Sequence, residues 1–280
     1  IGPRPLLEKL GVGVRHELQG VGGNLQDHLQ LRLIYRVEGV KTLNRIAATP
    51  WGKLGMGLEY LLKRSGPLSM APSQLGAFAK SDPGQARANL QYHVQPLSLE
   101  RFGEPLHDFP AFTASVCNLR PYSLGSVEIA SVDASVAPLI RPNYLSDERD
   151  LHVAADAIRL TRRIVAAPAL AGYRPQEYKP GPDYRSEEDL QRAAGEIGTT
   201  IFHPVGTCAM GQGREAVVDA RLCVHGITGL RVVDASIMPS ITSGNTCSPV
   251  LMIAEKAAQM IAEDAQRQRQ ATAVAEGALN

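Results

Sequence analysis

The sequence lacks any block of like charge, any apolar run of membrane-spanning length and any C-x-x-C pair, and each absence excludes a class of function. Its 29 Lys+Arg stand against 28 Asp+Glu, a net charge of +1 with no basic run, so nothing supplies the electrostatic footprint of a nucleic-acid binder. The longest apolar stretch, Ile164 to Gly172, falls far short of the roughly 20 residues that a spanning helix needs. Expected partners are therefore small molecules or other proteins, in a cytoplasmic setting with peripheral attachment to a membrane left open. The four cysteines, Cys117, Cys208, Cys223 and Cys247, are too few and too irregularly spaced for a disulfide scaffold, which fits a reducing compartment. Also missing is an initiator methionine: Ile1-Gly2-Pro3 reads like the interior of a loop, with no charged and then apolar leader behind it. The chain is expected to be a piece of a longer one.

What is present is the composition of a folded protein. With 44% hydrophobic and 20% charged residues, disorder is excluded as the dominant state. A length of 280 residues allows one large domain or two modest ones. The 26 glycines and 19 prolines exceed the average combined share of about 12% and announce many chain reversals.

Periodicity gives the elements. A short helix is expected over 4–10, followed by a strand at 11–14, and then a glycine-rich stretch from Gly20 to His28 that suits neither regular form. Leu31, Leu33, Tyr35 and Val37 alternate with Gln30, Arg32 and Arg36, the mark of a half-buried strand. Leu54, Leu58, Leu61 and Leu62 are spaced for a helix over 51–63, which Gly66-Pro67 ends. Further strands are predicted at 89–95, 112–119 and 126–131; without intervening helices they suit an antiparallel sheet. A helix starting at Ser146 carries Leu151, Ala155, Ile158, Arg162 and Val165 on one stripe and stops at Pro168, and a second opens with the capping box Ser186-x-x-Asp189. Both should cover one face of the sheet. Thr199 to His203 and Leu230 to Val233 are short apolar runs, and Ser248-Pro249 opens a helix with Ile253, Ala257, Met260 and Ile261 inward. Beyond Asp264 a frayed polar tail is expected.

A dinucleotide-binding G-x-G-x-x-G is sought and not found. Gly20-x-Gly22 meets Leu25 at the third glycine position, Gly11-x-Gly13 meets His16, and Gly211-x-Gly213-x-x-Ala216 runs into Val217-Val218-Asp219 instead of a long helix. The spacings of His203 to Cys208 and of Cys223-x-His225 close no tetrahedral metal site, so no metal is expected. No nucleophile elbow is present. Two segments combine polar residues with glycine and proline beside apolar runs: His203 to Met210, and Asp234 to Pro249. Read alone, His203 before Pro204 is first a structural histidine and Asn245 after Gly244 a turn residue. The free N–H groups of the helix that begins near Pro249 form a site for partial negative charge.

At these residues the chain resembles the glucose-methanol-choline (GMC) family of flavoprotein oxidoreductases, in its choline dehydrogenase-like branch. The resemblance rests on GVGGNLQDH at 20–28, SGPLSMAPSQLGAF at 65–78, LRPYSLGSVEI at 119–129, PLIRPNYLS at 138–146, HPVGTCAMG at 203–211 and GLRVVDASIMPSITSGNTCSPVLMIAEKAAQMI at 229–261. It implies the C-terminal half of such an enzyme, the opening G-x-G-x-x-G segment lying elsewhere. The implied fold is α+β: an antiparallel sheet covered by helices over 31–204, the substrate domain, with 1–30 and 205–265 as returning pieces of a discontinuous FAD-binding domain and 266–280 as a flexible tail.

The implied chemistry is oxidation of an alcohol by hydride transfer to flavin N5. His203 matches the active-site histidine and Asn245 its partner, and the cofactor FAD would meet Asn24, Asp234, Ala235, Asn245, Thr246, Pro249 and Val250. Implied partners are a small alcohol substrate, an electron acceptor (a quinone, a carrier protein or oxygen) and the N-terminal FAD-binding half. Two positions depart from the family pattern: Leu124 where arginine is common, and Cys247 where asparagine is usual. The competing expectation is a non-catalytic substrate-binding or interaction module that holds no flavin by itself.

Overall fold

The computed structural model describes residues 1–277 apart from Pro72 and Phe102, with the backbone alone for 272–277. In chain order the elements are α1 (Arg4–Lys9), β1 (Leu29–Arg36), α2 (Leu43–Ala47), α3 (Pro50–Lys63), β2 (Leu75–Ala79), β3 (Leu90–Gln95), β4 (Ala111–Asn118), β5 (Ser126–Glu128), β6 (Leu139–Arg141), α4 (Glu148–Val165), β7 (Gln176–Lys179), α5 (Glu187–Ile197), β8 (Gly198–Thr200) and α6 (Cys247–Gly277). They divide into two compact units: one takes Ile1–Asp27, Ser123–Tyr144 and the chain from Phe202 onward, the other His28–Tyr122 and Leu145–Ile201. The segment from 123 to 144 thus lies outside the sheet-bearing unit, although the sequence reading placed it there.

The sheet-bearing unit is an antiparallel sheet in the order β2-β3-β4-β1-β7, with β8 also on β1. β1 is its centre. One edge pairs with β4 along its length, and the other is shared by β8 at Leu29–Leu31 and β7 at Ile34–Arg36. Alternation explains the core: Leu31, Leu33 and Tyr35 of β1, Leu90 and Tyr92 of β3, and Ala114 and Val116 of β4 pack with Ala155, Ile158 and Val165 of α4 and Leu190 of α5. The predicted stripe on α4 is therefore the buried one. Its polar member, Arg162, makes a double ion pair to Glu177 of β7 at 2.8 and 2.7 Å. The predicted capping box of α5 is present, Ser186 Oγ accepting from Asp189 N and Asp189 Oδ2 from Ser186 N.

Several expectations are corrected. The strand at 11–14 does not form, because that stretch closes the turn after α1. β1 is buried on both faces, since Gln30 and Arg32 are as inaccessible as their apolar neighbours. α3 forms as its spacing requires, yet Leu54, Leu58, Leu61 and Leu62 are all exposed. The strand expected at 126–131 is only Ser126–Glu128, paired with β6 as a separate ribbon in the first unit.

In that first unit Val205, Val217, Val218, Val224, Ile237, Met238 and Ile241 pack with Ile253 and Ala257 of α6. Met260 is half-buried, but Ile261, expected inward, is exposed, as is Leu230. Farther along α6, Asp264 is gripped by Arg221 at 2.8 Å and by Arg231. The stretch expected as a tail from 266 is continuous helix to Gly277, and 278–280 lie outside the described residues. No described helix is long and apolar enough to cross a membrane.

Candidate active site

The first unit gathers its polar residues around a four-residue segment, Asn24-Leu25-Gln26-Asp27. Gly22 leads into it at φ +85, where an added Cβ would stand 2.2 Å from the Val127 carbonyl oxygen, so this close approach requires glycine. Asn24 follows in the left-handed region at φ 55, which asparagine tolerates better than most residues. Gln26 and Val205 then exchange backbone hydrogen bonds at 3.0 and 2.9 Å. That bridge brings the histidine-bearing segment alongside.

His203 is buried, 8% exposed. Its backbone N–H donates to Asp27 Oδ1 at 2.9 Å, while Asp27 Oδ2 accepts from the Tyr144 hydroxyl at 2.5 Å. Phe202, just before, stands at φ 64 with its ring exposed. Burial pushes the His203 pKa below its ordinary value, and the nearby Asp27 charge opposes that shift. At neutral pH the imidazole is therefore neutral, the form that can accept a proton.

Downstream, the chain turns at Gly206, φ +96, where a Cβ would lie 2.3 Å from the Asn24 carbonyl oxygen. It then runs beside the short helical turn at 235–237: Cys208 N donates to Ser236 O and Met210 N to Ile237 O, both at 2.8 Å. Asp234 caps that turn, its Oδ1 accepting from Ser236 N at 2.8 Å and from Ser236 Oγ at 2.5 Å. Asp234 is exposed.

The loop from Pro239 to Thr246 carries Asn245, and the same four-residue segment holds its start. Gln26 Nε2 donates to Pro239 O at 3.2 Å, and its Oε1 accepts from Ile241 N at 3.0 Å. Asn24 Nδ2 donates to Gly206 O and Pro239 O, each at 3.3 Å, and its Oδ1 accepts from Gln26. Thr246 is buried and accepts from Val250 N at 3.0 Å, which opens α6. The N–H groups of Cys247 and Ser248 lie in the first turn of a 31-residue helix, where no intrahelical acceptor exists and the positive end of the helix dipole is found. Thr242 Oγ1, inside the loop, is buried without a hydrogen-bond partner among the described residues.

The structure thus puts His203, Asn24, Asp234 and Ala235 in one hydrogen-bonded cluster, with Asn245, Thr246, Pro249 and Val250 on the loop and helix start tied to it through Gln26. Gln26, Asp27, Tyr144 and Thr242 were not singled out from the sequence. Their signal was present, since GVGGNLQDH and PLIRPNYLS carry three of them, but no local rule connects residues so far apart. Among the described residues no group of three or more His, Cys, Asp or Glu could hold a metal ion.

Residues 121–254 match the GMC oxidoreductase family. The matching part of the chain is similar to that family's C-terminal portion. The chain is 40% identical over 262 residues to the oxygen-dependent choline dehydrogenase of Chromohalobacter salexigens, covering 93% of this chain and 47% of that one. Identity to an alcohol dehydrogenase [acceptor] of Pseudomonas putida is 38%, with the same coverage. Among solved structures, pyridoxine 4-oxidase from Mesorbium loti superposes with a TM-score of 0.77 at 29% identity, over 92% of this chain and 47% of that one. The chain spans about half the length of the curated relatives it matches.

Proposed function

We propose that this chain supplies the catalytic histidine and part of the flavin site of an FAD-dependent enzyme that oxidises an alcohol to an aldehyde. The observation that carries the reading is a buried imidazole, kept neutral by its surroundings, on a loop fastened to the same segment as the Asn245 loop. Names of the relatives, choline dehydrogenase and alcohol dehydrogenase, support alcohols as the substrate class.

The residues present suit FAD. Thr242 Oγ1 is a buried polar atom awaiting a partner, and the start of α6 offers two unpaired N–H groups beside Thr246, Pro249 and Val250 to a group that gathers negative charge. Asn245 adds a side-chain amide. Asn24, Asp234 and Ala235 shape the neighbouring backbone, and each has its described hydrogen bonds within the chain. Bound FAD would supply the hydride acceptor, chemistry that no amino-acid side chain offers.

His203 acts as the base. An alcohol carbon releases hydride readily only as its hydroxyl proton leaves, so a neutral imidazole within reach of that hydroxyl lowers the barrier, a contribution of about 10²- to 10⁴-fold. Asn245 donates an N–H to the developing alkoxide, stabilising charge where it forms. An electron acceptor such as a quinone, a carrier protein or oxygen would complete the redox balance.

The test is His203→Ala in the flavin-loaded enzyme that contains this chain. Anaerobic reduction of the flavin by an alcohol should slow by about 10²- to 10⁴-fold; an unchanged rate overturns the assignment. A second reading applies to the 280 residues by themselves. They contain no G-x-G-x-x-G turn to cradle a pyrophosphate, and on that ground act alone as a substrate-binding or interaction module. A flavin absorption spectrum on the purified chain would contradict this.

A further inference from the structure

We infer that Asp27, locked in place by Tyr144, is the positioning residue that sets His203 for proton transfer. The inference rests on His203 being the base. It adds two residues, Asp27 and Tyr144, that would act through the histidine.

A carboxylate that is 7% exposed needs partners for both oxygens, because burying an ionised group uncompensated is strongly unfavourable. Asp27 has them: Oδ1 takes the His203 N–H at 2.9 Å and Oδ2 the Tyr144 hydroxyl at 2.5 Å. Hydrogen bonds to a charged oxygen are shorter and about twice as strong as neutral ones. Together the two fix the carboxylate plane, and with it the position of the His203 backbone.

The histidine needs such a fastening. β8 ends at Thr200, and the bridge to Gln26 is at Val205. Between them Phe202 sits at φ 64, a conformation costing a non-glycine residue about 1–3 kcal/mol unless its surroundings hold it. The Asp27 bond grips the chain at the next residue. It also places a negative charge near the ring, one that favours an imidazolium. Once His203 has taken the substrate proton, that charge stabilises the product of the transfer, at a site where burial alone disfavours it.

Three substitutions in the flavin-loaded enzyme separate these roles. Asp27→Ala removes both bonds and should lower the anaerobic rate of flavin reduction by about 10²-fold, the scale of a displacement of about 1 Å at a reacting group. Asp27→Asn keeps an acceptor oxygen for the His203 N–H but no charge; it should lose less rate than Asp27→Ala and move the acid limb of the pH profile to lower pH. Tyr144→Phe keeps the ring and frees Oδ2, and should lower the rate without changing substrate affinity.

A readout independent of turnover is the titration of His203 by NMR in selectively labelled protein, where Asp27→Asn should move its pKa downward. If Asp27→Ala does not fold, the Asn and Phe variants decide. Rates and a His203 titration unchanged in both would overturn the inference, while an unimpaired His203→Ala would overturn the underlying assignment of the base instead.

Discussion

Gly206→Ala tests whether the clamp around Asn24–Asp27 controls the histidine loop. Gly206 has φ +96, and a Cβ there would stand 2.3 Å from the Asn24 carbonyl oxygen and 2.9 Å from Asn24 Nδ2. Both neighbours resist displacement: the carbonyl belongs to rigid backbone, and the amide already bonds Gly206 O and Pro239 O. The backbone conformation alone costs alanine about 1–2 kcal/mol, and forcing a methyl group into filled space about 1–3 kcal/mol more. A loss of about 2–5 kcal/mol is expected, read as a lowered urea midpoint at unchanged slope. Relief of the clash moves residues 24–27 away from 203–206, so the rate of flavin reduction should fall by about 10²-fold as well. Gly13→Ala is the control, because a Cβ there meets nothing within 4 Å and φ is not positive; its stability should match the parent or exceed it by up to about 1 kcal/mol. A Gly206→Ala protein of parental stability and rate would refute the reasoning.

Two further predictions follow from the same site. The His203 pKa lies below its ordinary 6.5, so kcat/KM for the alcohol should stay on its plateau as pH falls through 6.5 and drop only at lower pH; a limb centred above 6.5 would contradict a buried neutral base. The sign for stability is the same, since below 6.5 the unfolded histidine binds a proton that the folded one resists, and stability falls with pH there. Gln26→Leu leaves the buried Ile241 N without its side-chain partner and Pro239 O with that of Asn24 only, at a cost of about 1–3 kcal/mol for the N–H left unpaired. Faster hydrogen exchange at the Ile241 amide, together with slower flavin reduction, is the expected pair of results; unaltered exchange would show that Gln26 does not hold the Asn245 loop.

Local chemistry was readable from sequence wherever neighbours along the chain decide the outcome. Ser186 and Asp189 are three residues apart, and their reciprocal cap forms as expected. Ile158 and Ala155 are buried on the stripe their spacing defines. Burial is harder to read, because periodicity says which residues share a face but not what covers it. Leu54, Leu58, Leu61 and Leu62 share a helix face and are exposed; Gln30 and Arg32 are polar and buried. β2, β6 and β7 went unread since each has at most five residues, too few to establish a period of two.

The candidate site divides in the same way. Sequence by itself determined that no dinucleotide turn lies in this chain and that His203 and Asn245 sit in polar, glycine-containing loops. It also carried the motifs by which the family resemblance could be seen. Only the tertiary structure decided what holds those loops. Asp27 meets Tyr144 across 117 positions and His203 across 176, and Gln26 meets Ile241 across 215. Hydrogen bonds act over about 3 Å, so such partners are chosen by the path of the folded chain and leave no local pattern behind. The pKa of His203 belongs to the fold for the same reason, since it depends on water excluded and a charge brought near.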